Sequence, residues 1–406
     1  MKTTRHNPVE WSGQHGSVRS LRRTGTRLLA VGVFAAVLLA AANDTDTDTE
    51  TGNGTGGEWA IPVPHTELPF PETHGAHPHF KIEWWYLTGH LFSGDRRFGV
   101  QATFFRLGQR PVPVERGDLY GDSQLYMAHM ALTDVQGGAF HHEERLNRGG
   151  WDAFARTGDL DVRNGNWSLR RDAETGMLHL QGSIRSEVSY SLTLEPEQDH
   201  VIFGEAGVSK KGADGTAASY YVTFPRLLAE GEVSIGGETL PVTGQLWMDH
   251  EISSSQLERN QVGWDWVSMQ FLDGRGLMAF ILRTEDGSVS EFSKLVWVDA
   301  DGTLHHRTTE EFAWEFAGHW ESPKTGATYP IAPTIRTIDP ASGEERELRV
   351  RPVMEAQELT GGLGGISYWE GACDVVGEGG ELIGRAYLEL TGYTEGLQDR
   401  LGVDAR

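Results

Sequence analysis

Three side chains able to transfer protons stand close to tryptophans in this sequence. Asp249 and His250 are adjacent and come shortly after Trp247, and Asp265 lies between two further tryptophans. A strand would place Asp265 on the face opposite its neighbours, where apolar surroundings raise the pKa of a carboxyl and make it a proton donor. His250 would then orient or deprotonate a water molecule, with assistance from Asp249.

Each of these residues also has a purely structural interpretation. The run from Asp249 to Ser255 is equally consistent with a hydrogen-bonded turn that joins two domains. Asp265 is equally consistent with a carboxylate that accepts hydrogen bonds from backbone amides at the rim of a barrel. The residues alone leave both alternatives open.

A set of aromatic residues near these groups would suit an apolar cavity for an extended ligand. Packing in a hydrophobic core explains the same residues equally well. A core position is also the simpler expectation for His129, although it would suit a cavity wall. The candidate ligand-binding residues are Trp84, Tyr86, Trp247, Trp264, Trp266 and Trp369.

No metal or cofactor site is predicted. His74, His77 and His79 share one loop, but no carboxylate lies between them and Pro78 stiffens the segment. The sequence holds no Gly-x-Ser-x-Gly elbow, phosphate loop or dinucleotide fingerprint. Its single cysteine, Cys373, excludes an intramolecular disulfide. If the protein is an enzyme, we expect chemistry without a cofactor.

The elements that position these residues are predicted to be strands throughout. Residues 178–184 and 190–194 alternate apolar and polar side chains with a period near two, and no long stretch has the period of a helix. Turn sequences such as Gly236-Gly237 and Asp301-Gly302 follow such runs. The expected fold class is all-β, built of barrels or sandwiches.

An internal repeat indicates two related domains. Residues 83–92 form an aromatic strand, followed by a turn and a second strand that ends in arginine, and residues 263–272 begin the same pattern. The alignment pairs Trp84 with Trp264. Two β-domains in tandem, joined near residues 240–260, are the simplest interpretation, and a chance resemblance between aromatic hairpins is the alternative.

The composition excludes one large class of function. The 406 residues include 35 Lys+Arg and 58 Asp+Glu, which gives a formal net charge of −23. Proteins that bind nucleic acids need basic surface to displace counterions from phosphates, so we expect no nucleic-acid partner. Hydrophobic residues make up 38% of the chain, enough to fill large cores.

The first 42 residues are predicted to be a signal peptide for export. Arginines between positions 19 and 27 precede an apolar run, 28–39, that is too short for a comfortable membrane span. Residues 40–42 are alanines, which suit cleavage. Residues 43–57 are predicted to be a disordered linker because they have no apolar content to bury. We therefore expect a soluble periplasmic or extracellular protein, with an uncleaved N-terminal membrane anchor as the alternative.

Longer motifs resemble those of the carotenoid 1,2-hydratase/AttH family. Residues 83–91, Glu-Trp-Trp-Tyr-Leu-Thr-Gly-His-Leu, resemble the EWWY-x-TGH opening of the family. Residues 247–254, Trp-Met-Asp-His-Glu-Ile-Ser-Ser, resemble its WMDHEWSS signature, although Ile252 stands where the family commonly has tryptophan. Further blocks at 263–266, 368–371 and 387–393 follow in the same order.

The family resemblance implies a tandem of two lipocalin-like β-barrels. The repeat described above agrees with that arrangement. We expect an N-terminal barrel over residues 58–250 and a C-terminal barrel over residues 251–406.

Several functions are implied by the same resemblance. Some members hydrate a terminal double bond of acyclic carotenoids, fungal relatives resemble pericyclases and hydratases, and many exported bacterial members resemble an accessory protein of ABC transporters. We expect an exported protein that binds a hydrophobic small molecule, either lipid or isoprenoid, and serves an ABC transporter or another envelope component, with peripheral contact to the membrane.

One alternative is a hydro-lyase of the carotenoid-hydratase type. Adding water to an isolated alkene requires a strong acid, a dry pocket, aromatic faces for the cation and an ordered water. Asp265 would be the acid, and His250 and Asp249 would assist it. The absence of tryptophan at position 252 and the export signal both count against this alternative. A weaker alternative is a pericyclase, in which the shape of the cavity alone catalyses the reaction.

Overall fold

The computed structural model describes residues 58–109, 111, 124–150, 152–362 and 366–397. The predicted signal peptide and the predicted linker lie outside the described residues. Within these residues the regular secondary structure consists of strands, preceded by one short 3-10 helix, Glu72–His74. A membrane-spanning helix, judged by length and hydropathy, is not found in this part of the chain.

The first sheet contains thirteen strands in the described part of the chain. They are β1 (Ile82–Ser93), β2 (Arg96–Gly108), β3 (Gln124–Asp134), β4 (Ala139–Arg148), β5 (Ala153–Ala155), β6 (Asp161–Asn164), β7 (Trp167–Arg171), β8 (Leu178–Ile184), β9 (Val188–Pro196), β10 (Val201–Phe203), β11 (Ser209–Lys210), β12 (Ala218–Ile235) and β13 (Glu238–Ser255). The main order is β4-β3-β2-β1-β13-β12-β9-β8-β7-β6-β5, and β10 and β11 pair with β12.

This sheet curls until strands near its two ends meet. The Asn164 side chain on β6 donates from Nδ2 to the Tyr126 carbonyl on β3 at 3.0 Å. Asn147 on β4 donates to Asn164 Oδ1 at 2.5 Å. The inward side chains of alternate positions fill one core, as the two-residue period of the strands requires. That core includes Trp85, Leu87, Phe104, Met130, Trp167 and Met248.

The second sheet contains ten of the strands described. They are β14 (Gln261–Phe271), β15 (Gly276–Thr284), β16 (Lys294–Val298), β17 (Leu304–Arg307), β18 (Phe312–Glu315), β21 (Thr334–Ile338), β22 (Glu345–Pro352), β23 (Glu358–Thr360), β24 (Ser367–Val376) and β25 (Leu382–Leu390). The intervening β19 (His319–Glu321) and β20 (Thr328–Pro330) form a separate two-stranded sheet. The main order is β17-β16-β15-β14-β25-β24-β22-β21-β18. Its own core includes Val267, Met269, Trp297, Trp369, Leu388 and Leu390.

These two sheets confirm the predicted all-β fold of two tandem barrels. The chain passes from the first sheet to the second between Ser255, at the end of β13, and Gln261, at the start of β14. A domain boundary placed after residue 250 therefore falls within β13.

The outer faces of the two sheets pack against each other through a third hydrophobic cluster. Its position follows from the long strands β1, β13 and β14, which bury apolar side chains on both faces, as their burial patterns show. This packing defines the space between the barrels. The cluster includes Tyr86, Tyr221, Trp247, Trp266, Met278 and Phe280.

Candidate active site between the barrels

A cavity of about 140 Å³ lies between the two barrels, and we call it the inter-barrel cavity. Its walls are mostly apolar and aromatic, with a few polar side chains from each sheet, which is the usual composition of a small-molecule site. The lining includes Trp84, Tyr86, His129, Lys211, Tyr221, Asp249, Glu251, Trp264, Trp266, Tyr368 and Glu389.

Strand alternation decides which residues of the sequence motifs reach this cavity. On β1, Trp84 and Tyr86 point outward and line it, whereas Trp85 and Leu87 point into the core of the first barrel. Tyr86 is paired in register with Asp249 on β13. Residues directly opposite each other on two paired antiparallel strands point to the same face of the sheet, so Asp249 also points to the cavity.

Asp249 is buried, and three donors hold its carboxyl group. Tyr221 Oη and Thr223 Oγ1 donate to its two oxygens at 2.6 Å each, and Trp247 Nε1 donates at 2.7 Å. Burial raises the pKa of Asp249 to about 7, although these three hydrogen bonds favour the ionised form and act against the increase. The group is therefore poised to exchange a proton near neutral pH.

Glu389 on β25 is a second carboxyl at the cavity, and it is not among the predicted site residues. Burial raises the pKa of Glu389 to about 8, and a hydrogen bond with Trp264 acts against this increase. Leu388 and Leu390 on either side lie in the core of the second barrel. A glutamate between two buried leucines of one strand is the sequence signal that would have placed this carboxyl on the outer face.

A buried ion pair occupies another part of the wall. Lys211 Nζ contacts both Glu251 and Gln256, and Ser219 Oγ donates to Glu251 at 2.5 Å. The ammonium group also lies 5.8 Å from the centre of the Trp84 ring. The carboxylate and the aromatic ring beside it compensate this positive charge in a cavity whose walls are mostly apolar.

His129 lines the cavity from β3, so a cavity position replaces the simpler expectation of a core histidine. Its Nδ1 lies 2.7 Å from Tyr368 Oη, and its Nε2 lies 3.4 Å from Glu144. An imidazole between a carboxylate and a phenol can accept or pass on a proton. The cavity therefore has both carboxyl groups and an imidazole among its lining residues.

The three predicted catalytic residues do not converge on one site. Asp249 faces the cavity, but His250, the next residue on β13, points into the first barrel, where its ring stacks on Trp85 with 4.6 Å between centroids. Asp265 is buried on the inner face of the second sheet, where Arg283 Nε lies 3.0 Å from its Oδ1.

The aromatic residues predicted to bind a ligand divide in a similar way. Trp84, Tyr86, Trp264 and Trp266 line the cavity, and the Trp84 and Trp264 rings stack across it with 6.5 Å between centroids. Trp247 lies in the cluster between the barrels, where it supports Asp249. Trp369 lies in the core of the second barrel.

Comparison with known protein families shows which family this chain belongs to. The model of the AttH-like family matches residues 61–393. The chain belongs to the AttH-like family. This AttH-like protein is similar to a structure from Nitrosomonas europaea assigned to AttH, with 36% identity, a TM-score of 0.72, and coverage of 82% of this chain and 99% of that one.

More distant structures share the fold of this AttH-like protein. Kievitone hydratase from Nectria haematococca is 16% identical, with a TM-score of 0.59 and coverage of 86% of this chain and 96% of that one. CghA is 12% identical, with a TM-score of 0.50 and coverage of 84% and 96%. No curated protein matches the sequence.

Proposed function

We propose that the inter-barrel cavity binds a hydrophobic, unsaturated small molecule and adds water across one of its double bonds. The observation that carries this proposal is Glu389, a buried carboxyl that faces a cavity walled by aromatic rings and whose pKa burial raises to about 8. Such a group can act as a general acid near neutral pH, and the mostly apolar walls of the cavity favour transfer of its proton to an alkene carbon rather than to bulk water. One protein that shares this fold is named a hydratase.

The reaction balances with groups that line the cavity. Glu389 donates its proton to one alkene carbon, the π electrons form the new C–H bond, and the other carbon becomes a cation. The faces of Trp84, Trp264 and Trp266 stabilise this cation. A water oxygen then forms the C–O bond and releases a proton to His129 or to the Glu389 carboxylate. No cofactor is needed for these steps.

Glu389 retains its proton to a higher pH than Asp249, because more hydrogen bonds favour the anion of Asp249, so Glu389 is the carboxyl more available as a general acid. Both Asp249 oxygens already accept from hydroxyl groups, and one also accepts from Trp247. A carboxyl surrounded by donors is stabilised as the anion. We assign Asp249 to stabilising positive charge and orienting Tyr221, and Glu389 to the transfer of the proton.

The test uses the purified full-length chain with a mixture of acyclic isoprenoid alkenes and unsaturated lipids in 18O-labelled water. We expect mass spectrometry to detect a product that carries one added labelled water and is absent from a heat-denatured control. Glu389→Gln should slow its formation on the order of 100-fold or more, because it removes the acid and keeps the shape. Quenching of tryptophan fluorescence by the ligand should persist in this variant, since binding does not need the proton.

Asp265→Asn is the discriminating control, with its folding checked by circular dichroism. Its carboxyl points away from the cavity, so hydration should continue in this variant. Loss of hydration in folded Asp265→Asn, with Glu389→Gln still active, would transfer the acid role to Asp265. A compound that is enriched by the protein but unchanged would reject the hydratase and identify a carrier, the role that an exported transport accessory would have.

A further inference from the structure

Three potential metal ligands meet inside the first barrel, on the face of β1 and β13 opposite the inter-barrel cavity. His77 Nδ1 lies 2.8 Å from Glu83 Oε1, and His250 Nε2 lies 2.9 Å from the same oxygen. The ligand atoms of the three residues all lie within 4.8 Å of one another. They come from three segments, the loop before β1, β1 itself and β13, so the folded barrel brings them together.

The surroundings hold this cluster in one orientation. Glu83 Oε2 accepts from Arg106 Nε at 2.8 Å and from the His77 backbone N–H at 2.9 Å, which leaves Oε1 to the two imidazoles. The His250 ring is fixed by its stacking on Trp85. Outer-shell hydrogen bonds of this kind orient ligands in metal sites, and they keep the carboxylate ionised.

We propose that His77, Glu83 and His250 form a binding site for a divalent first-row transition metal ion, with Zn²⁺ as the ion that fits best. Two imidazole nitrogens and one carboxylate oxygen are a common ligand set for this ion. The fourth position would face the side of His77, whose side chain is 26% exposed, so a water molecule can complete the coordination.

The geometry needs only a small adjustment to accept the ion. Each neutral imidazole would keep its one proton on the other ring nitrogen, His77 Nε2 or His250 Nδ1, and the ion would replace the hydrogen bonds that now join the two rings to Glu83 Oε1. Bonds of about 2.0–2.2 Å require the three donor atoms to move slightly apart, which rotation of the partly exposed His77 ring permits. Glu83 would bind through Oε1 alone, because Arg106 retains Oε2.

The proposed ion would tie the loop that carries His77 to strands β1 and β13. These strands also carry Trp84 and Asp249 on their other face, so the ion would stabilise the cavity wall from behind. It would not contact the ligand of the cavity. The site therefore stands independently of the proposed hydration.

The test is a titration of untagged, metal-stripped full-length protein with Zn²⁺ by calorimetry, followed by Co²⁺ absorption spectroscopy. We expect one high-affinity equivalent per chain and the visible absorption bands of four-coordinate Co²⁺. His77→Ala should weaken Zn²⁺ binding at least about tenfold, because one ligand is lost. The matched control is His79→Ala, in the same loop but exposed, which should bind Zn²⁺ as the wild type does.

His250→Gln provides a second variant within the barrel and should also lose the Co²⁺ bands. Folding of each variant is checked by its circular dichroism spectrum in EDTA. Absence of Zn²⁺ binding by the wild type would overturn the proposal, and so would wild-type affinity in folded His77→Ala. Because the readout is metal binding, failure of the hydration assay leaves this result unaffected.

Discussion

At the scale of single residues, the chemistry of this protein depends on which face of a strand each carboxyl occupies. Asp265 and Glu389 are both buried acids of the second barrel sheet, but Asp265 is paired with Arg283 inside the barrel, whereas Glu389 faces the inter-barrel cavity. Burial raises the pKa of Asp265 to about 6, with Arg283 acting against the increase. A raised pKa is therefore not sufficient to make a proton donor, and access to the cavity decides between them.

The raised pKa of Glu389 predicts a pH-dependent stability. Its pKa is about 8 in the folded state and 4.5 ordinarily, so between these values the folded protein binds more protons than the unfolded chain. The stability that protonated Glu389 contributes is fully present below pH 4.5, the ordinary pKa, and is lost as the pH rises through about 8, the pKa in the folded protein. Glu389→Gln does not titrate at this position. Its urea midpoint relative to wild type should therefore rise between pH 5 and pH 9.

The control for this prediction is Glu378→Gln, an exposed glutamate in the turn before β25. The difference between this variant and the wild type should stay constant with pH. If Glu389→Gln also shows a constant difference, Glu389 is already ionised in the folded protein, and its assignment as the acid fails.

At the scale of elements, the pairing of β1 with β13 builds the wall that carries most of the site. The backbones of the two strands lie unusually close to each other at two glycines. A Cβ on Gly89 would lie 2.2 Å from the Gln245 carbonyl oxygen, and one on Gly244 would lie 1.9 Å from the His90 carbonyl oxygen. Neither glycine has a positive φ, so close approach of the backbones, rather than a special turn, requires the missing side chain.

This close approach predicts the effect of a single methyl group. Gly89→Ala should lower the free energy of unfolding by about 1–3 kcal/mol, because the ladder must shift to accept the Cβ. It should also weaken ligand binding, since Trp84, Tyr86 and Asp249 are carried by these strands. Urea denaturation and fluorescence titration measure the two effects.

Gly362→Ala is the matched control for the glycine prediction. A Cβ there meets no atom within 4 Å and the φ angle is not positive, so stability should be unchanged. Equal stability of the two variants would show that the strands can separate without cost, contrary to the packing described.

At the scale of the whole molecule, the two barrels meet along a buried surface with specific hydrogen bonds. Tyr86 Oη donates to Glu370 at 2.5 Å, and Trp266 Nε1 donates to Tyr221 Oη at 3.0 Å. Gln270 donates across the interface to the carbonyl of Leu246 at 3.0 Å. Separating the barrels would expose the cluster between them and leave these groups to water.

This interface predicts that the two barrels unfold as one cooperative unit. Calorimetry of the full chain should show a single transition, coincident with the loss of near-ultraviolet circular dichroism. Two resolved transitions would instead show that each barrel is stable alone and that the inter-barrel surface contributes little.

The sequence by itself determined the fold class, the family and the tandem arrangement of this protein. Alternation with a period of two specifies strands wherever it occurs, and the repeated aromatic hairpin indicates a second copy. The structure agrees in detail: Glu83 pairs with Arg106 in the first barrel, and Gly263 pairs with Arg283 at the corresponding place in the second. These features are local or repeated, so they are visible along a single chain.

Only the tertiary structure decided which residues share a site. Asp249 and His250 are adjacent in sequence, yet the strand sends them to opposite faces, toward a cavity and toward a buried cluster with Glu83. Glu389 lies far from Asp249 along the chain, on the last strand of the second sheet, and lines the same cavity. The cavity forms between two outer sheet surfaces, and no local pattern states which outer surfaces will pack together. The reason is physical: periodicity gives the faces of a strand, whereas long-range packing selects the partner of each face.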